Sequence, residues 1–211
     1  MAAPGILVPL VQVRILVSQP IMKGIYIFLA EGFEDMEGLA TLDILRRGGL
    51  DVSTVSITDD PHVTTSHGVT VLADMTFSEF KENLTDQSDR EDVLIFPGGM
   101  PGSRNLAGDA DLMQIMKVHY VMGGTVAAIC AAPGLVLSQL NPLTGKKFTC
   151  FDGFEETMIA KGAVFTPESV VIDGRMITGR GAGHAVNFGL HILAYLKGDE
   201  AAAKVKAGLM L

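Results

Sequence analysis

Four short segments rich in strand-forming residues, separated by stretches with helical spacing, constrain the fold of this chain more than any other feature. Three are continuous apolar runs, KGIYIFLA (23–30), DVLIFPGG (92–99) and GTVAAI (124–129), and the fourth is LDVSTVSIT (50–58). Continuous apolar runs are typical of parallel strands that are covered on both faces. Strands that alternate with helices predict an α/β fold with a largely parallel sheet and helices on both faces.

The remaining segments are consistent with that fold class. Hairpins are expected over 62–74 and over 169–179, the second with a type I′ turn at Asp173–Gly174. A further strand is expected at 146–150, and helices are expected within 31–49, 77–84, 110–122, 153–160 and 184–196 and from Asp199 onwards.

The first 21 residues differ from the rest of the chain. They are apolar, but three prolines and a central Arg14 interrupt them, so they match neither a secretory signal nor a membrane span. We expect residues 1–21 to lie outside the fold and residues 22–211 to form a single domain.

Composition excludes several classes of function. The formal net charge is -8 and no run of Lys and Arg occurs, which argues against a nucleic-acid partner. The two cysteines, Cys130 and Cys150, are too few for a disulfide framework, and a reducing cytoplasm is expected. No cluster of Cys and His has the spacing of metal ligands, so no metal site is expected, and neither is membrane association.

Open parallel sheets bind ligands beyond the carboxyl ends of their strands, which directs attention to 30–37, 97–102, 130–133 and 179–184. Cys130 lies between the apolar run GTVAAI (124–129) and a predicted helix. A helix N-terminus there would favour its thiolate form and make it a nucleophile. The alternative is a small buried core residue, and the local pattern alone slightly favours this alternative.

The other strand ends carry glycines and ionisable groups. Gly98 and Gly99 would let backbone amides approach a ligand and bind an oxyanion, although the segment has neither dinucleotide-binding nor phosphate-loop spacing. Glu37, if it points over the sheet, would have a raised pKa and could donate a proton to a thiolate. In GRGAGH (179–184), Gly181 permits close approach, and His184 is either a cap or a pocket residue.

Several collinear motifs, among them AEGFEDMEGLATLDILRRGGLDV, VLIFPGGMPGSRNL, AAICAAPGLVL and MITGRGAGHAVNFGLHIL, resemble the ThiJ/PfpI superfamily. The similarity points to the branch of the parkinsonism-associated protein deglycase DJ-one and its bacterial relatives. It implies a flavodoxin-like fold, a homodimer and chemistry without a cofactor. By the same resemblance, Cys130 is the oxidation-sensitive nucleophile, Glu37 its protonated partner, and Gly98, Gly99 and Ala131 the oxyanion-binding residues.

The chain departs from the family pattern at three positions. Ala131 follows the cysteine where protease-like relatives have His, so peptidase activity is not expected. Phe151 stands where many relatives have a pocket His, which leaves Glu37, His184 or no residue as the general base. His67 stands where some relatives have an arginine at the dimer interface.

Two functions of different classes follow from these residues. In the first, the thiolate of Cys130 attacks methylglyoxal or a glycated amine of a protein or amino acid, Gly99 and Ala131 stabilise the oxyanion, and Glu37 moves protons. This is a glyoxalase or deglycase reaction linked to carbonyl stress. In the second, Cys130 is oxidised to a sulfinic acid and the protein is a redox-sensing chaperone without significant turnover.

Overall fold

The computed structural model describes residues 23–84 and 88–211; the expectation for residues 1–21 therefore lies outside the described residues. The eleven strands of the described chain are β1 (Ile25–Leu29), β2 (Val52–Ser56), β3 (His62–Thr64), β4 (Thr70–Leu72), β5 (Met75–Thr76), β6 (Val93–Phe96), β7 (Thr125–Ile129), β8 (Lys147–Phe148), β9 (Val164–Phe165), β10 (Val170–Asp173) and β11 (Met176–Gly179). The helices are α1 (Asp35–Arg47), α2 (Phe77–Glu82), α3 (Gly102–Gly108), α4 (Ala110–Val121), α5 (Ala132–Leu135), α6 (Glu156–Ile159), α7 (Ala185–Lys197) and α8 (Asp199–Gly208), with 3-10 turns at Leu137–Gln139 and Ala182–His184.

Seven strands form the central sheet in the order β10-β11-β7-β6-β1-β2-β5. All neighbouring pairs are parallel except β10 and β11, which form an antiparallel hairpin at one edge. The predicted α/β class and the mostly parallel sheet are confirmed. The four segments predicted as strands are β1, β2, β6 and β7, and they lie side by side in the order β7-β6-β1-β2.

Each face of the sheet carries its own apolar core. One face packs Phe28, Phe80 and Phe96 together, with ring centroids 5.0 Å apart for Phe28–Phe80 and 5.4 Å apart for Phe28–Phe96. On the other face, Ile27 and Ile95 pack beneath α1, α7 and α8. Helices cover both faces because the apolar strands would otherwise expose one side to water.

Three elements differ from the sequence-based expectation. The strand expected at 146–150 is short and pairs with β9 in a separate two-stranded sheet, which the sequence did not indicate. Helix α3 was not expected, because its seven residues include two glycines and show little apolar periodicity. The turn between β10 and β11 consists of Gly174 and Arg175, and only Gly174 has a positive φ, so it is not the type I′ turn predicted at Asp173–Gly174.

None of the helices in 23–84 and 88–211 is long and apolar enough to cross a membrane.

Candidate active site

The carboxyl ends of β11, β7, β6 and β1 meet at one edge of the sheet, since these strands are parallel neighbours in that order. The four segments predicted from the sequence, 179–184, 130–133, 97–102 and 30–37, lie at these strand ends. The topology therefore brings the predicted site residues to the same edge.

Cys130 directly follows β7 and has a left-handed backbone conformation, with φ of +65°. Few residues other than glycine adopt this conformation, and it is maintained only where the surroundings fix the backbone. Here two hydrogen bonds fix it. The amide of Cys130 donates to the carbonyl of Gly179 at 3.0 Å, and the carbonyl of Cys130 accepts from the amide of Phe151 at 2.8 Å. The half-buried side chain packs against the core beneath α1 and α7.

Glu37 lies in the first turn of α1 and is fully buried. Its Oε2 accepts a hydrogen bond of 2.7 Å from the amide of Gly98. Its Oε1 has no hydrogen-bond partner among the described residues, and the thiol of Cys130 lies near enough to influence the pKa of this carboxyl. The structure thus brings Glu37 and Cys130 together, as the sequence interpretation expected.

Close packing explains why glycines follow β6. A β-carbon at Gly98 would lie 2.5 Å from the β-carbon of Cys130 and would also overlap Oε2 of Glu37. Gly99 has φ of +87°, and a β-carbon there would lie 2.6 Å from the carbonyl oxygen of Gly32. Only glycine allows this loop to approach the thiol and the carboxyl so closely.

Burial raises the pKa of Glu37 to about 7, and the negative charge of Glu34 acts in the same direction. Hydrogen bonds from Cys130 and Gly98 oppose the increase without cancelling it. A carboxyl group with a pKa near 7 exchanges its proton readily at neutral pH, which is the property required of an acid–base group.

Burial and the charge of Glu37 raise the pKa of Cys130 to about 12, although the amides of Gly99 and Ala131 act to lower it. The expectation that a helix N-terminus would favour the thiolate is therefore wrong for this arrangement. The following helix, Ala132–Leu135, has only four residues, and the desolvation of the thiol outweighs its effect. Part of the increase comes from the carboxylate form of Glu37, and this part disappears when Glu37 is protonated.

Gly181 and His184 are near Cys130 but do not form its immediate environment. They line a neighbouring cavity of about 300 Å³ together with Phe151. His184 immediately precedes α7 and is not among the groups that shift the pKa of Cys130.

Sequence reasoning missed two contributors to the site. Glu34 caps α1 by accepting a hydrogen bond of 2.9 Å from the amide of Glu37, and its position three residues before Glu37 could have indicated this. Arg180 lines the same cavity, and its Nη2 lies 2.5 Å from Oδ1 of Asp152, which also lines it. No local pattern connects these two residues, because they come from different parts of the chain.

Glu34, Asp35 and His67 bring one potential metal-ligand atom each within 4.8 Å of one another. Hydrogen bonds already account for this arrangement. The carboxylate of Asp35 accepts from Thr65 Oγ1 at 2.6 Å and lies 2.7 Å from Nδ1 of His67. The cluster joins the β3–β4 hairpin to the start of α1.

The fold and the strand-end cysteine with its buried carboxyl partner define a class of flavodoxin-like α/β proteins, and comparisons with known proteins identify the family. The sequence profile of the DJ-1/PfpI family matches residues 23–195. The chain belongs to the DJ-1/PfpI family.

Three relatives illustrate the similarity. Protein DJ-1 homolog A of Arabidopsis thaliana is 34% identical over 189 residues, which are 90% of this chain and 47% of that protein. The glutathione-independent glyoxalase DJR-1.2 of Caenorhabditis elegans is 31% identical over 170 residues, 81% of this chain and 86% of that protein. The crystal structure of Drosophila melanogaster DJ-1beta superposes with a TM-score of 0.79 at 31% identity, covering 90% of this chain and 99% of that one. The chain spans about half the length of the Arabidopsis relatives.

Proposed function

We propose that this protein is a cysteine-dependent glyoxalase that converts methylglyoxal to lactate without a cofactor, and that it also acts on glycated adducts of proteins or amino acids. The observation that carries the proposal is the close approach of Glu37, whose pKa is raised to about 7, to Cys130: one β-carbon at Gly98 would meet both Oε2 of Glu37 and the β-carbon of Cys130. A relative of similar length, from Caenorhabditis elegans, is named as a glutathione-independent glyoxalase, which supports the same reaction class.

The first step is attack of the Cys130 sulfur on the aldehyde carbon. A carbon–sulfur bond forms, the carbonyl π electrons move to the oxygen, and a hemithioacetal oxyanion results. The amides of Gly99 and Ala131, which act to lower the pKa of the Cys130 thiol, would stabilise that oxygen. Glu37 takes up the thiol proton as the sulfur becomes nucleophilic, since its raised pKa makes the carboxyl a competent acceptor.

The second step moves hydrogen between the two carbons of the substrate. Glu37, after passing its proton to the oxyanion, removes the proton from the former aldehyde carbon and returns it to the neighbouring carbon, while the hydroxyl proton of the hemithioacetal moves to the former ketone oxygen. This yields a thioester of lactate on Cys130. Water then attacks the thioester carbonyl, the carbon–sulfur bond breaks, and lactate leaves, so that methylglyoxal and one water give one lactate.

Deglycation would begin from related adducts. The carbon–sulfur bond of a hemithioacetal on a cysteine, or the carbon–nitrogen bond of an aminocarbinol on an amine, breaks as the three-carbon methylglyoxal unit passes to Cys130. The original thiol or amine leaves, and Glu37 keeps the same role. His184 is an alternative proton carrier at the entrance of the neighbouring cavity.

The experiment compares methylglyoxal consumption and lactate formation by the wild type, Cys130→Ser and Glu37→Gln. Both variants are expected to lose at least about a hundredfold in kcat/KM, the usual scale for losing a nucleophile or an acid–base group. Val121→Ala, which alters an exposed residue at the opposite end of the sheet, serves as the matched control. Wild-type turnover by Cys130→Ser would refute the proposal.

A redox sensor is the second candidate, and Phe151 favours it, because this aromatic residue supplies no acid or base beside Cys130. In this function the Cys130 thiol is oxidised to a sulfinic acid, and protonated Glu37 donates a hydrogen bond to a sulfinate oxygen. Intact-mass measurement after mild peroxide separates the two functions. A gain of two oxygens on Cys130 in a protein that does not consume aldehydes would support the sensor.

We also propose that residues 22–211 form one domain, that residues 1–21 lie outside it, and that the protein acts in the cytoplasm as a homodimer. Deletion of residues 1–21 is then expected to leave the melting temperature unchanged. Analytical ultracentrifugation of the full chain tests the dimer, and a monomer at micromolar concentration would contradict it.

A further inference from the structure

The cavity beside Cys130 has features that bear on which aldehydes the site accepts. It measures about 300 Å³ and has two walls, residues 151–152 and residues 180–184. The first wall is hydrogen-bonded to the backbone of Cys130 through Phe151 itself, and the second wall directly follows Gly179, which is also hydrogen-bonded to Cys130. The amide of Phe151 donates to the Cys130 carbonyl at 2.8 Å, and the amide of Cys130 donates to the Gly179 carbonyl at 3.0 Å. The cavity therefore lies directly beside the backbone of Cys130, although Cys130 is not one of its lining residues.

The first wall is an exposed aromatic ring. The side chain of Phe151 is 51% exposed, which is unusual for a large apolar residue beside a buried site. Its ring lies over the backbone of Gly181, where a β-carbon would come within 3.3 Å of it. The ring of Phe154 contacts it edge-to-face with centroids 6.5 Å apart, so the ring has support on its other side.

The second wall contains the guanidinium group of Arg180, whose charge is paired within the chain. Arg180 Nη2 is paired with Oδ1 of Asp152 at 2.5 Å. Its Nη1 is buried away from solvent and hydrogen-bonds none of the described residues. The guanidinium also lies over the ring of Phe165, 5.8 Å from the centroid. With its charge paired to Asp152, and in a chain of formal net charge -8, this wall does not favour an anionic substituent.

We propose that this cavity receives the substituent of the aldehyde and that Phe151 makes the site prefer 2-oxoaldehydes with flat, apolar substituents, such as arylglyoxals, over methylglyoxal. The inference rests on the proposed function and names its substrate class. An aryl group stacks on or against the Phe151 ring in the geometry that aromatic pairs prefer, whereas the methyl group of methylglyoxal is too short to use the ring.

The test measures kcat/KM from initial rates with phenylglyoxal, 4-carboxyphenylglyoxal and methylglyoxal. The ratio of the phenylglyoxal value to the methylglyoxal value is compared between the wild type, Phe151→Ala and Phe151→Leu, with Val121→Ala as control. A ratio cancels the different intrinsic reactivities of the aldehydes. Phe151→Ala is expected to lower the ratio about tenfold, the scale for losing one aromatic contact, and Phe151→Leu by less. The carboxylated substrate is expected to be poorer than phenylglyoxal.

Other outcomes would overturn the inference in distinguishable ways. An unchanged ratio in Phe151→Ala, with both aldehydes consumed, leaves the proposed function intact and removes Phe151 as a specificity residue. If Phe151→Ala instead weakens the homodimer in sedimentation analysis and lowers both rates equally, a second copy of the chain covers the ring. If the wild type consumes neither aldehyde, the proposed function fails and this inference fails with it.

Discussion

Oε2 of Glu37 accepts a hydrogen bond of 2.7 Å from the amide of Gly98. A β-carbon at position 98 would collide with that same oxygen and lie 2.5 Å from the β-carbon of Cys130. Gly98→Ala is therefore expected to lose aldehyde turnover and to lower the free energy of unfolding by about 1–3 kcal/mol, the range for overpacking a buried site. Gly108→Ala, where a β-carbon would meet no atom within 4 Å, is the control. Urea denaturation with equal midpoints for the two variants would contradict this.

The raised pKa of Glu37 predicts a pH-dependent stability. In the folded protein the pKa is about 7 rather than 4.5, so the fold binds this proton more tightly than the unfolded chain does. The corresponding stabilisation is complete below pH 4.5 and is lost as pH rises through 7. The free energy of unfolding of Glu37→Gln, measured relative to that of the wild type, is expected to be about 2–3 kcal/mol higher at pH 8 than at pH 5. Urea denaturation at both pH values checks it, and a pH-independent difference would refute it.

His119 predicts the opposite pH dependence. Burial, together with the nearby charge of Arg175, lowers the pKa of this imidazole, while its Nε2 donates to the carbonyls of Asp92 at 3.1 Å and Thr125 at 3.0 Å. The unfolded chain therefore binds the proton more tightly, and stability is lost as pH falls from 6.5 toward the lower folded value.

The Glu37→Gln background isolates this effect. There, stability is expected to decrease from pH 7 to pH 5 with a slope of at most about 1.4 kcal/mol per pH unit. Adding His119→Gln should flatten the curve, whatever its effect on stability at pH 7. If the free energy of unfolding still decreases from pH 7 to pH 5 after the second substitution, a group other than His119 takes up the proton.

The ion pair between Asp35 and His67 is expected to stabilise the β3–β4 hairpin against local opening. Burial opposes ionisation of Asp35, but hydrogen bonds from Thr65 and His67 outweigh it and lower its pKa, while Asp35 raises the pKa of His67. Both groups are charged in mildly acidic solution, so protection of the Ser66 amide from hydrogen exchange is expected to be highest there. Asp35→Asn should reduce that protection, and Asp43→Asn, at the exposed pair with Arg47, should not.

The part of the fold that depends on apolar patterning was predictable. Strands β1, β6 and β7 are buried on both faces, so their sequences carry a continuous apolar signal, and the parallel arrangement follows from the helices between them. Strands β8 and β9 have two residues each and pair outside the main sheet, and two residues are too few to show periodicity.

The sequence predicted which residues come together at the site, but it did not predict the pKa of Cys130. Parallel topology forces the strand ends together, which is why Cys130 and Glu37 meet as the sequence interpretation expected. The pKa of Cys130 depends on burial and on a carboxyl group 93 positions away in the chain, and neither is a local property. The hydrogen bond from Phe151 to Cys130 likewise joins segments that no sequence pattern relates.

The two cysteines belong to cores on opposite faces of the central sheet. Cys150 is buried in the core with Phe28 and Phe96, and Cys130 packs against the core with Ile27 and Ile95. Their backbones are nevertheless close, because the Cys130 carbonyl accepts a hydrogen bond from the amide of Phe151, the residue after Cys150. A disulfide between the two cysteines would therefore require one side chain to leave the core in which it packs. Reduction of an oxidised Cys130 by a small thiol or a reductase from solution needs no such repacking, so the supply of external reductant is expected to set the lifetime of the oxidised form.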